Sequence, residues 1–254
     1  MRCVTELSVA LGELVRPVDG FEIEYVTADG VKTRGDLAAA WAAPFEQGGP
    51  VRHLRPYKGQ RHLPGEWWSA TDGHLVGFES WLERDHLMLL DFAPAVVGIA
   101  SQPFWLFWVS AEGKRRSHAP DYFTRRRDGS GVVIDCRPAE FRKPRDVVAF
   151  EAARRACDAV GWEYRLVGAP DELSVRNVRW ISGYRHPRYH DAEVATRLRE
   201  VFSSGGPLLA GVEKVGDPIS MLPRVFHLLW SQELTVDLST PLHMAAVVSL
   251  PDVA

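Results

Sequence analysis

A Pro-Asp pair and an Asp-x-Arg triplet, separated by two short β-rich runs, constrain this chain more than any other feature. Both lie in Ser117 to Pro138, SHAPDYFTRRRDGSGVVIDCRP. Val132, Val133 and Ile134 are β-branched and bounded by Gly131 and Pro138, so they predict a buried strand. Tyr122 to Arg126 predict its partner, and Asp128-Gly129-Ser130-Gly131 offers residues that tolerate positive φ in the turn between them. With Arg126 paired near Val132, Asp121 lies across from the Asp135 to Pro138 end of the second strand. Two carboxylates then meet at one end of a hairpin. Alternation along a strand sends Asp135 and Arg137 to one face and Ile134 and Cys136 to the other.

Carboxylates converging on one point repel each other and favour a hard divalent cation, a role Mg²⁺ fills while keeping waters for a substrate phosphate. This is the logic of nucleases of the PD...(D/E)xK type, with Pro-Asp on one strand and the acid-x-Lys on the next. Arg137 stands here where that pattern has Lys. Arginine keeps its proton, with a pKa above about 12, so it can stabilise charge but cannot act as a general base. On the residues alone another reading stays open, in which Asp121 caps a turn and Asp135 pairs with an exposed Arg.

The 254 residues, 46% hydrophobic and 25% charged, are enough for one large or two smaller domains. A net charge of -3 excludes a globally basic nucleic-acid binder and leaves room for a local basic patch. Cys3, Cys136 and Cys157 are odd in number and follow no metal-ligand spacing, as expected in a reducing compartment. No apolar run reaches membrane-spanning length and the N-terminus lacks a signal-peptide pattern, so the expected location is the cytoplasm.

Phe21 to Val26 and the Ala28-Asp29-Gly30 turn predict a hairpin, with Asp36 capping a short helix after it. Residues 1–55 form an N-terminal extension. Between Arg52 and Trp68, Arg52, Arg55, Lys58 and Arg61 interleave with Tyr57, Trp67 and Trp68, a mixture suited to phosphate contact and stacking. A solvated loop pinned by two buried Trp side chains explains it equally well. Ser80 to Phe92 predicts an amphipathic helix in which Ser80 and Glu83 form a capping box. Glu83 also sits where a third acid could face a metal, with Glu79 as its competitor. Lys114, Arg115, Arg116, Arg125, Arg126 and Arg127 flank the hairpin, cations suited to a polyanionic substrate.

A helix is expected from about Arg145 to Val160, with Val147, Val148, Phe150, Ala156 and Val160 facing the core, followed by a strand from Trp162 to Val167. Helix, strands, hairpin, helix and strand make an α/β mixed-sheet core over residues 56–168 of restriction-endonuclease-like type. Residues 168–190 read as a polar linker. Beyond it, three helices and the runs Glu233 to Leu238 and Met244 to Leu250 predict a winged-helix-like C-terminal domain, 169–254. From Arg185 onward acids outnumber Lys and Arg, which favours protein contact over groove reading.

The ordered set SWLERDHLMLLDF, SQP, HAPDYF and VVIDCRP resembles the TnsA-like endonuclease subunit of heteromeric transposases, over about residues 55 to 168. LLWSQELTVDLSTPL resembles the C-terminal domain of that family. The resemblance implies a Mg²⁺-dependent endonuclease, Mn²⁺ substituting, that nicks one strand at the ends of a transposon in double-stranded DNA. A DDE (TnsB-like) transposase subunit would cut the other strand, and an AAA+ (TnsC-like) ATPase would regulate both. Glu83, Asp121 and Asp135 take the metal-binding positions, Arg137 the Lys position and Gln102 a largely structural Gln-Pro element. Arg55, Lys58, Arg61, Lys114, Arg115, Arg116, Arg125 and Arg126 are the expected DNA-binding cations. An inactive nuclease-fold scaffold that binds DNA and transposition partners, and a stand-alone nuclease, remain as alternatives.

Overall fold

The computed structural model describes residues 20–52 and 64–251. The chain divides into two compact units. One takes residues up to Gly65, Val76–Glu83 and Ala95–Gly168, and the other takes Glu66–Leu75, Arg84–Pro94 and the chain from Ala169 onward.

In the first unit, β1 (Glu22–Val26) and β2 (Lys32–Asp36) form the expected hairpin, and Asp36 caps the short α1 (Leu37–Ala40) by accepting the N–H of Ala38. This hairpin is not an appendage. β1 pairs antiparallel with β6 (Phe104–Val109), which pairs with β7 (Arg115–His118), giving a sheet of order β2-β1-β6-β7. A second sheet runs β10-β9-β8-β5, built from β5 (Val96–Ser101), β8 (Tyr122–Arg126), β9 (Gly131–Cys136) and β10 (Glu163–Val167). Its β9–β10 pair is parallel, a connection that needs a crossover, and α3 (Pro144–Val160) supplies it. Gly161, at φ 77°, ends α3 in the left-handed conformation.

The β8–β9 register differs by two residues from the sequence expectation, with Thr124 opposite Val132 and Arg125 opposite Gly131. An even shift leaves every side chain on its expected face, because strand side chains alternate with period two. Of the turn residues only Gly129 adopts positive φ (85°), while the Asp128 carboxylate accepts the Ser130 N–H at 2.9 Å. Gly131 is required for another reason: a Cβ there would lie 2.7 Å from Trp162 Cδ1 and 2.8 Å from Phe123 Cε2. The core around it is aromatic, with Phe45 edge-on to Tyr25, Phe104, Phe123 and Trp162. On α3 the buried stripe is Phe150, Ala152, Ala153, Ala156 and Cys157. Val147 and Val148, expected in the core, are exposed, because they precede the turns of α3 whose small alanines allow close packing.

The ribbon strands β3 (Gly65–Trp68) and β4 (Leu75–Phe78) form a two-stranded sheet. The helix α2 (Trp81–Phe92) follows, its first residues in the first unit and its remainder in the second. In the second unit the 168–190 segment, expected as a linker, contains α4 (Glu172–Ser182), capped by Asp171, with Val175, Val178 and Ile181 buried at three-residue spacing. The next elements are α5 (Ala192–Val201), α6 (Leu208–Val215) and α7 (Pro218–Trp230). A small sheet of order β11-β13-β12 joins Gly206–Pro207, Val247–Ser249 and Thr235–Val236, so the strands are shorter than the runs predicted. No helix among the described residues is long and apolar enough to cross a membrane.

Candidate active site

The first unit gathers its acids where β8 begins and β9 ends. Tyr122 is opposite Ile134, the last pair of that ladder, so one step further the register sets Asp121 against Asp135. Asp121 Oδ2 accepts the backbone N–H of Cys136 at 2.7 Å, which fixes its carboxylate at the strand end. Its Oδ1 has no hydrogen-bond partner among the described residues. Part of Asp121 still reaches solvent. Burial nevertheless pushes its carboxyl well above the usual carboxylate range, and the charges of Asp135, Glu83 and Glu79 push the same way against the Cys136 N–H. This is the behaviour of a largely buried acid crowded by like charges.

Glu83 enters from the first turn of α2. Its carboxylate takes the N–H of Glu79 at 2.7 Å and the hydroxyl of Ser80 at 2.8 Å, and Ser80 Oγ accepts the Glu83 N–H at 3.2 Å. The capping box expected from the sequence is therefore present, and it aims the acid. Burial raises the Glu83 carboxyl above its ordinary value, Glu79 adds to the rise, and the two hydrogen bonds and Arg52 oppose it. Arg52 is ion-paired with Glu79 at 3.0 Å.

Asp135 is placed differently. Only 1% exposed, it has both oxygens engaged: His118 Nε2 lies 2.9 Å from Oδ1 and 3.0 Å from Oδ2, and the Tyr164 hydroxyl donates to Oδ2 at 2.7 Å. Burial and the Asp135 charge raise the Tyr164 phenol above its ordinary value. His118 packs edge-on to Phe150. Among the described residues no group of three or more His, Cys, Asp or Glu side chains is arranged to hold a metal ion. Arg137 is exposed beyond the end of β9, its N–H bonded to the Val167 carbonyl, and its guanidinium makes no ion pair among the described residues. Lys143, also exposed, precedes α3, its N–H bonded to Asp146.

Gln102, read from the sequence as structural in the main, carries a signal that only the backbone reveals. It adopts φ 44°, a left-handed conformation rare for a residue with a side chain, while 4% exposed. Its N–H donates to the Asp121 carbonyl at 2.8 Å, its carbonyl accepts the Val51 N–H at 3.0 Å, and its Oε1 is buried without a partner. Strain of this kind collects at functional sites.

The expected DNA-binding cations divide. Lys114, Arg115 and Arg116 are exposed on and before β7. Arg125 instead turns inward, 14% exposed, to Glu46 at 3.4 Å and to the carbonyls of Ala43 and Gly129, and Arg126 is paired with Glu163. Arg55, Lys58 and Arg61 lie outside the described residues. In the second unit Trp67 is a packing residue: its indole N–H donates to the buried Asp91 at 2.9 Å, and the Arg185 guanidinium lies 3.9 Å from its ring centre. Ser69 and Thr71 also donate to Asp91.

A mixed α/β unit with buried acids converging at the end of an antiparallel pair is compatible with an α/β nuclease fold. Residues 93–168 match the family model of the TnsA-like endonuclease N-terminal domain, which supports a TnsA-like endonuclease and, with it, a nuclease subunit of a transposase. The matched segment runs from before β5 to after β10 and contains Asp121, Asp135 and Arg137, while Glu83 precedes it. No curated protein matches the chain.

Proposed function

We propose that this protein is the metal-dependent DNA endonuclease subunit of a heteromeric transposase, nicking one strand at the transposon ends by phosphodiester hydrolysis. The observation that carries the reading is a pair of acids that burial and like-charge repulsion push above their ordinary values despite the hydrogen bonds they accept. Asp121 and Glu83 both hold protons more tightly than free carboxylic acids, and Asp121 keeps an oxygen without a hydrogen-bond partner among the described residues. Burying acids this way costs stability unless a cation is the intended occupant. Asp121 and Glu83 fit a hard divalent ion such as Mg²⁺. When bound, it would supply Lewis-acid polarisation of a phosphoryl oxygen and lower the pKa of a bound water.

The chain's own residues supply the rest. The Cys136 N–H and the capping box of α2 fix the two carboxylates before substrate arrives. Arg137, whose guanidinium makes no ion pair among the described residues, stabilises charge building on the phosphate as the scissile bond breaks. Lys114, Arg115 and Arg116 hold the DNA backbone. The second unit, three helices with a small sheet after α4, serves in this reading as a winged-helix-like module docking on the DDE transposase or the ATPase regulator.

Strand-specific cleavage of labelled transposon-end DNA, with the transposase partner present and Mg²⁺ or Mn²⁺ added, tests the proposal. Wild type nicks one strand and Asp121→Ala does not; cleavage retained by Asp121→Ala refutes it. Arg137 in the Lys position, together with the engagement of Asp135, favours a second reading, a nuclease fold kept as a DNA-binding scaffold. In that case wild type does not nick and Arg137→Lys restores cutting.

A further inference from the structure

The resemblance makes Asp135 a metal-binding position, and the geometry around it does not. His118 and Tyr164 engage both Asp135 oxygens in the interior, so two protein donors already compensate this carboxylate without a cation. The partners come from separate places: His118 ends β7 of one sheet, and Tyr164 lies on β10, the edge strand of the other. The next residue, Cys136, presents the N–H that holds Asp121. We propose that Asp135 is a positioning residue, which ties β7 to β10 through His118 and Tyr164 and thereby fixes the Cys136 N–H against Asp121, leaving Asp121 and Glu83 to meet the cation.

The two roles predict opposite effects on metal-free protein. A carboxylate kept only for a cation is a burden without it, so removing its charge stabilises the fold. A carboxylate that joins two sheets is an asset, and removing it strands a half-buried phenol and an imidazole N–H. The proposal rests on the cation reading only for which residues meet the ion; the link between sheets stands without it.

The experiment is thermal unfolding in excess EDTA of wild type, Asp121→Asn, Asp135→Asn, Tyr164→Phe and the Asp135→Asn/Tyr164→Phe double variant. Asp135→Asn is expected to lower Tm by about 4 °C, Tyr164→Phe to lower it less, and the double variant to fall short of the sum. Asp121→Asn is expected to raise it. A rise in Asp135→Asn, or strict additivity with Tyr164→Phe, overturns the proposal. Mn²⁺ titration then checks the ligand side: Asp135→Asn binds within about threefold of wild type, while Asp121→Asn binds at least about a hundredfold more weakly. Equal loss in both makes Asp135 a ligand and also overturns it. In cleavage, Asp135→Asn lowers kcat at unchanged KM for DNA. If wild type neither binds Mn²⁺ nor cuts, the nuclease reading fails, and the unfolding series still decides the role of Asp135.

Discussion

Asp121→Asn should make the metal-free protein more stable, and Mg²⁺ should reverse the order. The register sets Asp121 against Asp135, and opposed residues in an antiparallel pair have Cβ atoms about 5 Å apart. At an effective dielectric of about 20, two negative charges at that separation cost about 3 kcal/mol. Asparagine keeps an oxygen for the Cys136 N–H and loses only the charge assistance, about 1 kcal/mol. The net gain is about 2 kcal/mol, or about 6 °C in Tm. Its pH dependence follows from the direction of the Asp121 shift. The folded carboxyl holds its proton more tightly than the unfolded one, so stability is lost as pH rises from the unfolded value, about 3.9, through the folded one. The gap between variant and wild type is therefore absent in acid and opens as pH rises through the folded value. Magnesium at 100 times its Kd adds about 2.7 kcal/mol to wild type and little to the variant, and wild type becomes the more stable. Differential scanning fluorimetry at pH 4.5 and 8, in EDTA and in Mg²⁺, reads all four states. A variant no more stable than wild type in EDTA at pH 8, or one stabilised equally by Mg²⁺, refutes the reasoning.

Gln102→Gly relieves the left-handed backbone, so in urea unfolding it should be about 1 kcal/mol more stable than Gln102→Ala, which removes the same side-chain amide but keeps the strain. Arg125→Ala should destabilise by about 3 kcal/mol by stranding the buried Glu46 carboxylate, measured by urea unfolding. Replacing Lys114, Arg115 and Arg116 together by Ala should leave Tm unchanged and weaken DNA binding, cutting the slope of log K against log salt by up to about 3 in a filter-binding titration. Asp91→Ala removes the common acceptor of Trp67, Ser69 and Thr71 and should cost about 3 kcal/mol, seen as loss of tryptophan fluorescence order at lower denaturant.

Much of the first unit was legible because its signals are local. β-branched runs, the Asp128-Gly129 turn and the Ser80/Glu83 capping box each dictate structure within a few residues. The meeting of Asp121 with the end of β9 was legible too, because a two-residue error in register does not change a face. The engagement of Asp135 was not, since His118 and Tyr164 reach it from other strands that no nearby spacing announces. Nor does a basic run distinguish Arg125, folded onto Glu46, from Arg115 in solvent: the partner lies 79 positions away. The helix α4 was missed because Arg176 and Arg179 diluted a stripe of only three apolar residues.

The pairing of β1 with β6 bears on how much of this chain must stay together for it to fold. The segment that carries the family signature, 93–168, is not a self-sufficient building block. Cut out alone, it would bare the flank of β6 that β1 covers, and it would lose Phe45, the ring on which Phe104, Phe123 and Trp162 converge. An open strand edge above an unfilled aromatic socket favours aggregation over folding. A fragment trimmed to residues 93–168 would therefore need the motif-poor stretch around residues 21–47 in order to fold.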